Sequence, residues 1–207
     1  MKAEVVVARF LSVAFHPLVM PCLGLLLLFQ MDTYISHAIP GPAKRFLLAV
    51  VFINTALAPA LAIALLQRTG IISNVLLSER SERMFPLLMA SLFYVLTYYL
   101  LRQVTLPPII YYYIMGATLM VLLCLVITFR WKISIHMTSM GGFSGFLIAT
   151  SLFLRTDISG LIILGFILAG LVGSARLRLN AHTPAQVYAG YLLGLAVMLG
   201  LFLYLRV

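Results

Sequence analysis

Seven long apolar runs, at about 5–29, 43–67, 86–102, 109–130, 137–154, 159–175 and 184–205, take up most of this 207-residue chain. Each is close to the roughly 20 apolar residues with which an α-helix crosses the hydrocarbon core of a bilayer. In lipid no water can satisfy backbone N–H and C=O groups, so only helices and closed barrels span it. The runs lack the period-2 alternation of barrel strands, which leaves helices. Charge supports the same conclusion: 14 basic and 5 acidic side chains make up 9% of the chain, against about 25% in a soluble domain. The expected fold is an all-α polytopic membrane helical bundle of six or seven transmembrane helices, a single integral domain over residues 1–207.

A net charge of +9 does not point to nucleic acid, because the basic residues are scattered over inter-run loops and form no stripe. Cys22 and Cys124 each lie inside an apolar run, so no disulfide framework is expected. The first run has no small-residue cleavage site and reads as a retained helix. Arg9 sits within it, and His16-Pro17 and Pro21 should kink it, so that its first turns either cross or lie along the interface. His16 and Asn54 are polar groups within the runs. Such groups are functional candidates in a membrane, and an inter-helix hydrogen bond is the reading taken for both.

With seven crossings, the loops 68–85, 131–136 and 176–183 fall on the membrane face of the N-terminus. The loops 30–42, 103–108 and 155–158 fall on the other, where Tyr98, Tyr99, Tyr111, Tyr112 and Tyr113 gather as an interfacial aromatic belt. Small residues recur at four-residue spacing: Gly141 and Gly145; Gly165, Ala169 and Gly173; Gly190 and Gly194. That spacing lets helix backbones approach in lipid and predicts a tight bundle of the last three helices.

The three N-terminal-side loops carry the chemistry. They hold Glu79, Arg80, Glu82 and Arg83; then Lys132, Ser134 and His136; then Arg176, Arg178, Asn180 and His182. Guanidinium groups hold phosphate oxygens bidentately, and histidine supplies a nucleophile or proton donor at neutral pH. Short loops also collect arginine through the positive-inside bias, which would need no site at all.

The third loop resembles a known family. Ala175-Arg176, five residues, His182, three residues and Gln186, with Ala189-Gly190 opening the next helix, stand in the frame of the third motif of the type 2 phosphatidic acid phosphatase superfamily. These are membrane lipid phosphatases related to vanadium haloperoxidases. Ile133-Ser134-Ile135-His136 keeps the Ser and His of the second motif, and Arg83-Met84-Phe85-Pro86 loosely echoes the first. The resemblance covers about residues 76–194, with a core of about 68–205 and two additional N-terminal helices in 1–67.

The resemblance implies His182 as nucleophile, forming a phosphohistidine, and His136 as the acid that protonates the leaving oxygen. It implies Arg83, Arg176 and Ser134 as phosphate ligands, and no metal or other cofactor. The partners implied are a phosphorylated lipid substrate and the bilayer, in a bacterial chain the cytoplasmic membrane. Oligomeric state is not indicated. Two family residues are absent: Leu76 stands where the first-motif Lys would fall, and Gln186 where an Asp orients the nucleophile. Lys132 could replace the Lys, and Glu79 or Glu82 could supply a carboxylate to His182 and Arg176, or could pair locally with Arg80 and Arg83. Gln186 could orient His182, or serve only the capping box Thr183-Pro184-Ala185-Gln186.

Nine basic residues lie on the N-terminal side against five opposite; without Arg83 and Arg176 the bias is too small to orient the chain. Three functions fit: a lipid phosphate or pyrophosphate phosphatase, an impaired relative that binds or transports such lipids, and a structural subunit of a membrane complex.

Overall fold

The computed structural model describes residues 3–72 and 81–205, and every regular element among them is helical. Six helices are long and apolar enough to cross a membrane: Gly41–Arg68, Met84–Arg102, Pro108–Thr128, Ile135–Leu154, Ser159–Arg178 and Pro184–Leu205. The chain is an integral membrane protein by this measure. The first apolar run is not a seventh such helix. It is broken into α1 (Ala3–Ala14) and α2 (Met20–Gln30). Pro17 cannot donate a backbone hydrogen bond and fixes its own φ, so the α-helical ladder stops at His16, whose N–H bonds Val13 O at 3.2 Å.

The described chain divides into two compact units, residues 1–20 with 132–207, and residues 21–131. The second unit holds α2, the short α3 (Tyr34–Ala38), α4 (Gly41–Phe52), α5 (Ala58–Arg68), a 3-10 turn (Ser81–Arg83), α6 (Met84–Arg102) and α7 (Pro108–Thr128). A π-helical turn over Ile53–Leu57 joins α4 to α5. Pro59 explains it, since a proline ring clashes with the carbonyl four residues earlier and the wider turn relieves that clash. Asn54 sits in this turn and donates its amide to Val50 O of its own helix at 2.9 Å. The inter-helix hydrogen bond expected of Asn54 is therefore not the one it makes with that amide.

The first unit holds α1, α8 (Ile135–Leu154), α9 (Ser159–Arg178) and α10 (Pro184–Leu205). The small residues predicted to pack do so. Gly141 and Gly145 of α8 face the backbone of α10, and Gly190 and Gly194 of α10 face that of α8; Gly165 and Gly173 of α9 face Leu147 and Met137 of α8. A Cβ on Gly190 would stand 2.6 Å from Ser134 O, and one on Gly194 would overlap the Thr138 carbonyl. Gly194→Ala should therefore cost about 1–3 kcal/mol of stability, the usual scale of overpacking. Thermal unfolding in detergent would read this as a lowered midpoint, and an unchanged midpoint would refute the close α8–α10 contact. Gly170, which meets nothing within 4 Å, supplies the control: Gly170→Ala should be neutral or better.

Candidate functional site

The loops at one end of the first unit owe their shape to local sequence. At the end of α9, Asn180 takes a left-handed conformation, φ 51°. Its N–H bonds Leu177 O at 3.0 Å, and Ala181 N–H bonds Arg176 O at 3.1 Å. This is a Schellman turn with Asn at the left-handed position, and it turns the chain within two residues of His182. Thr183 then opens α10, with Pro184 as its first helical residue. Gln186 N–H donates to Thr183 Oγ1 at 3.4 Å, and Thr183 N–H donates to Gln186 Oε1 at 3.2 Å, which is the expected capping box.

Gln186 does more than cap. The same Oε1 accepts from His182 Nδ1 at 3.0 Å. A carbonyl oxygen has two lone pairs, so both of the alternative roles are filled at once. With a proton on Nδ1 held by Gln186, Nε2 is the basic nitrogen of the neutral tautomer. Ser134 lies alongside: its N–H donates to Gln186 O at 3.4 Å. Ser134 is fully buried, yet its Oγ has no hydrogen-bond partner.

His136, in the first turn of α8, presents Nε2 to the Ser12 carbonyl at 3.0 Å. That carbonyl is open because the helix break diverts the His16 N–H to Val13. Arg176, in the last turn of α9, donates from Nη1 to Ser12 Oγ at 3.2 Å. Its Nε is buried and has no partner. His16 accepts the Leu18 N–H on Nδ1 at 3.3 Å, and its ring stands edge-on to that of His136, centroids 5.2 Å apart. Arg176, His16 and His182 are all electrostatic neighbours of His136. Lys132 and His182 line one recess of about 580 Å³.

Thus His136, His182, Arg176, Ser134, Lys132 and Gln186, six of the sequence-predicted site residues, lie in one unit and are linked through hydrogen bonds, a shared recess or electrostatic proximity. Glu82 and buried Arg83 belong to the 3-10 turn of the other unit. Glu79 lies outside the described residues. Within the first unit, Glu4 is committed to an exposed ion pair with Arg178 that ties the start of α1 to the end of α9. At the opposite end of α9, the Ser159 N–H holds the exposed Asp157 carboxyl below its usual pKa. Among the described residues no three His, Cys, Asp or Glu side chains group to hold a metal ion.

Sequence reasoning missed Ser12 and took His16 for an inter-helix hydrogen bonder. The hydrogen bond that His16 accepts from Leu18 is local, and its contact with α8 is ring against ring. The available signal was Pro17. A helix stopped there must leave carbonyls of its last turn to be satisfied by other groups. Comparison with protein-family models, curated proteins and solved structures finds no match.

Proposed function

We propose that this chain is a membrane lipid phosphate or pyrophosphate phosphatase, working through a phosphohistidine at the membrane interface on a core like that of the type 2 phosphatidic acid phosphatases. One observation carries the reading: Arg176 Nε and Ser134 Oγ are buried without protein partners, in the unit where Gln186 locks the Nδ1 proton of His182. A buried polar group left unsatisfied costs about 1–3 kcal/mol, and an anion's oxygens would satisfy both.

In the proposed reaction His182 Nε2 attacks phosphorus, an N–P bond forms, and the bond from phosphorus to the lipid oxygen breaks. The leaving oxygen takes a proton from His136. The Nε2–H of His136 stays on the Ser12 carbonyl, so the proton given to the leaving oxygen is a second one, carried on Nδ1 by the imidazolium form of the ring. The ring ends the step as the neutral Nε2–H tautomer. Water then attacks phosphorus and gives a proton back to His136 Nδ1, the N–P bond breaks with its electron pair returning to His182 Nε2, and inorganic phosphate leaves. Arg176 and Ser134 bind the phosphate oxygens, Lys132 attracts the head group into the recess, and Arg83 enters the proposal through its place in the motif order alone.

The test is inorganic phosphate released from lipid phosphate monoesters and diphosphates presented to the purified chain in mixed micelles. Release from at least one class is expected, and Arg176→Lys should raise its KM about ten-fold, because lysine cannot reproduce a bidentate contact. No release from any lipid would dismiss the enzyme. One observation favours a second reading, a protein that binds lipid phosphates without turning them over: the group on His182 Nδ1 is a neutral amide. Phosphate-lipid binding that depends on Arg176, with no release, would select it.

A further inference from the structure

The N-terminal helix is tied into the candidate site through one residue. Ser12 is buried, and it meets both the arginine and one of the histidines of the site with different atoms. Its hydroxyl donates to Ala8 O at 2.9 Å, four residues back, which turns the oxygen's remaining lone pairs toward Arg176. Arg176 Nη1 donates to that oxygen. In a guanidinium the Nε–H lies on the same side as Nη2, so a contact through Nη1 leaves the Nε–Nη2 edge whole. That edge is the one an anion takes side-on with two parallel hydrogen bonds, and its Nε is buried and unpartnered.

The Ser12 carbonyl fixes the second group. It accepts from His136 Nε2, which sets the ring's tautomer and leaves Nδ1 for chemistry. The helix break at Pro17 sends the His16 N–H to Val13, so the Ser12 carbonyl is not shared with the ladder of α1. The helix break thus bears on the site: it leaves His136 without a competitor for the Ser12 carbonyl.

From this geometry we infer that Ser12 is a positioning residue, whose hydroxyl aims the open edge of Arg176 and whose carbonyl holds His136. The inference rests on the reading of Arg176 as an anion ligand, and it adds α1, which lies outside all three motifs, to the site. Ser12 touches no reacting atom in this scheme. Its two contacts are separable, since a substitution at Ser12 can remove the hydroxyl but not the carbonyl.

The test compares Ser12→Ala and Ser12→Thr with the wild-type full chain in lipid nanodiscs. In 15N-arginine-labelled protein, Arg176 is assigned with Arg176→Lys. Its Nη groups should give separate resonances in the wild type, merge in Ser12→Ala as rotation about Cζ–Nη is freed, and separate again in Ser12→Thr. In phosphate release, Ser12→Ala should raise KM about ten-fold, the scale of a lost hydrogen bond to a charged group, with kcat within about two-fold because the backbone carbonyl and His136 stay in place. Ser12→Thr should restore KM.

Unmerged Arg176 resonances in Ser12→Ala, or a kcat loss at unchanged KM, would overturn the inference. Should the wild type release no phosphate from any lipid, the phosphatase reading falls. The Arg176 resonances would still decide whether Ser12 aims the guanidinium.

Discussion

Replacing His182 with alanine is expected to lower phosphate release by about 10⁴-fold or more, the scale on which removal of a covalent nucleophile acts. The reason is specific to the atoms. His182 has its Nδ1 proton committed to Gln186 at 3.0 Å, so the attacking electron pair is on Nε2 and no other group of the unit replaces it in the scheme. The fold should tolerate the change. Gln186 Oε1 keeps the Thr183 N–H, the Schellman turn is made by backbone groups, and the cap of α10 remains intact. Rapid quenching with a radiolabelled phosphate lipid should trap an acid-labile, base-stable phosphoprotein in the wild type and none in His182→Ala. Release at the wild-type rate by His182→Ala, with unfolding unchanged, would remove the phosphohistidine mechanism altogether.

Gln186→Glu should move the rate the other way, by roughly ten-fold or more. A serine hydrolase whose orienting Asp becomes Asn loses about 10⁴ in kcat, which sets an upper scale for restoring the carboxylate. Glutamate has the length of glutamine, so it can keep both contacts that Oε1 makes, to Thr183 N–H and to His182 Nδ1. It also completes the more common form of the capping box and places a negative charge at a helix N-terminus, a gain of about 0.3–1 kcal/mol. Stability and kcat should thus rise together, a combination that a purely structural role of Gln186 would not produce. A more stable Gln186→Glu with unchanged or lower kcat would mean that His182 carries no positive charge in the rate-limiting step.

The legible part of the site was the part that lies in local sequence. Thr183-Pro184-Ala185-Gln186 announces its own cap. The five-residue gap from Arg176 to His182 is spanned by a turn whose left-handed residue, Asn180, is readable as such. Gln186 is legible both as a cap and as a possible histidine partner, and the geometry shows how one residue makes both contacts: two lone pairs on one oxygen serve both neighbours. Glutamate compensation was less tractable. That expectation rested on sequence order alone: Glu82 and Arg83 form a turn in the other unit, and Glu79 lies outside the described residues.

Hydrophobic run length by itself determined that this chain is helical and membrane-spanning, because lipid offers backbone groups no alternative partner. Four-residue glycine spacing likewise determined that α8, α9 and α10 pack closely, since the missing Cβ atoms admit a neighbouring helix. What only the tertiary structure decided is which groups fill the gaps that these elements leave. The break at Pro17 was legible, but not that the carbonyl freed at Ser12 would take His136, nor that the Ser12 hydroxyl would take Arg176. Those bonds join residues 124 and 164 positions apart, and no periodicity or local propensity reaches that far. They follow from where packing places the ends of three helices, and from the cost of leaving a buried polar group unpaired.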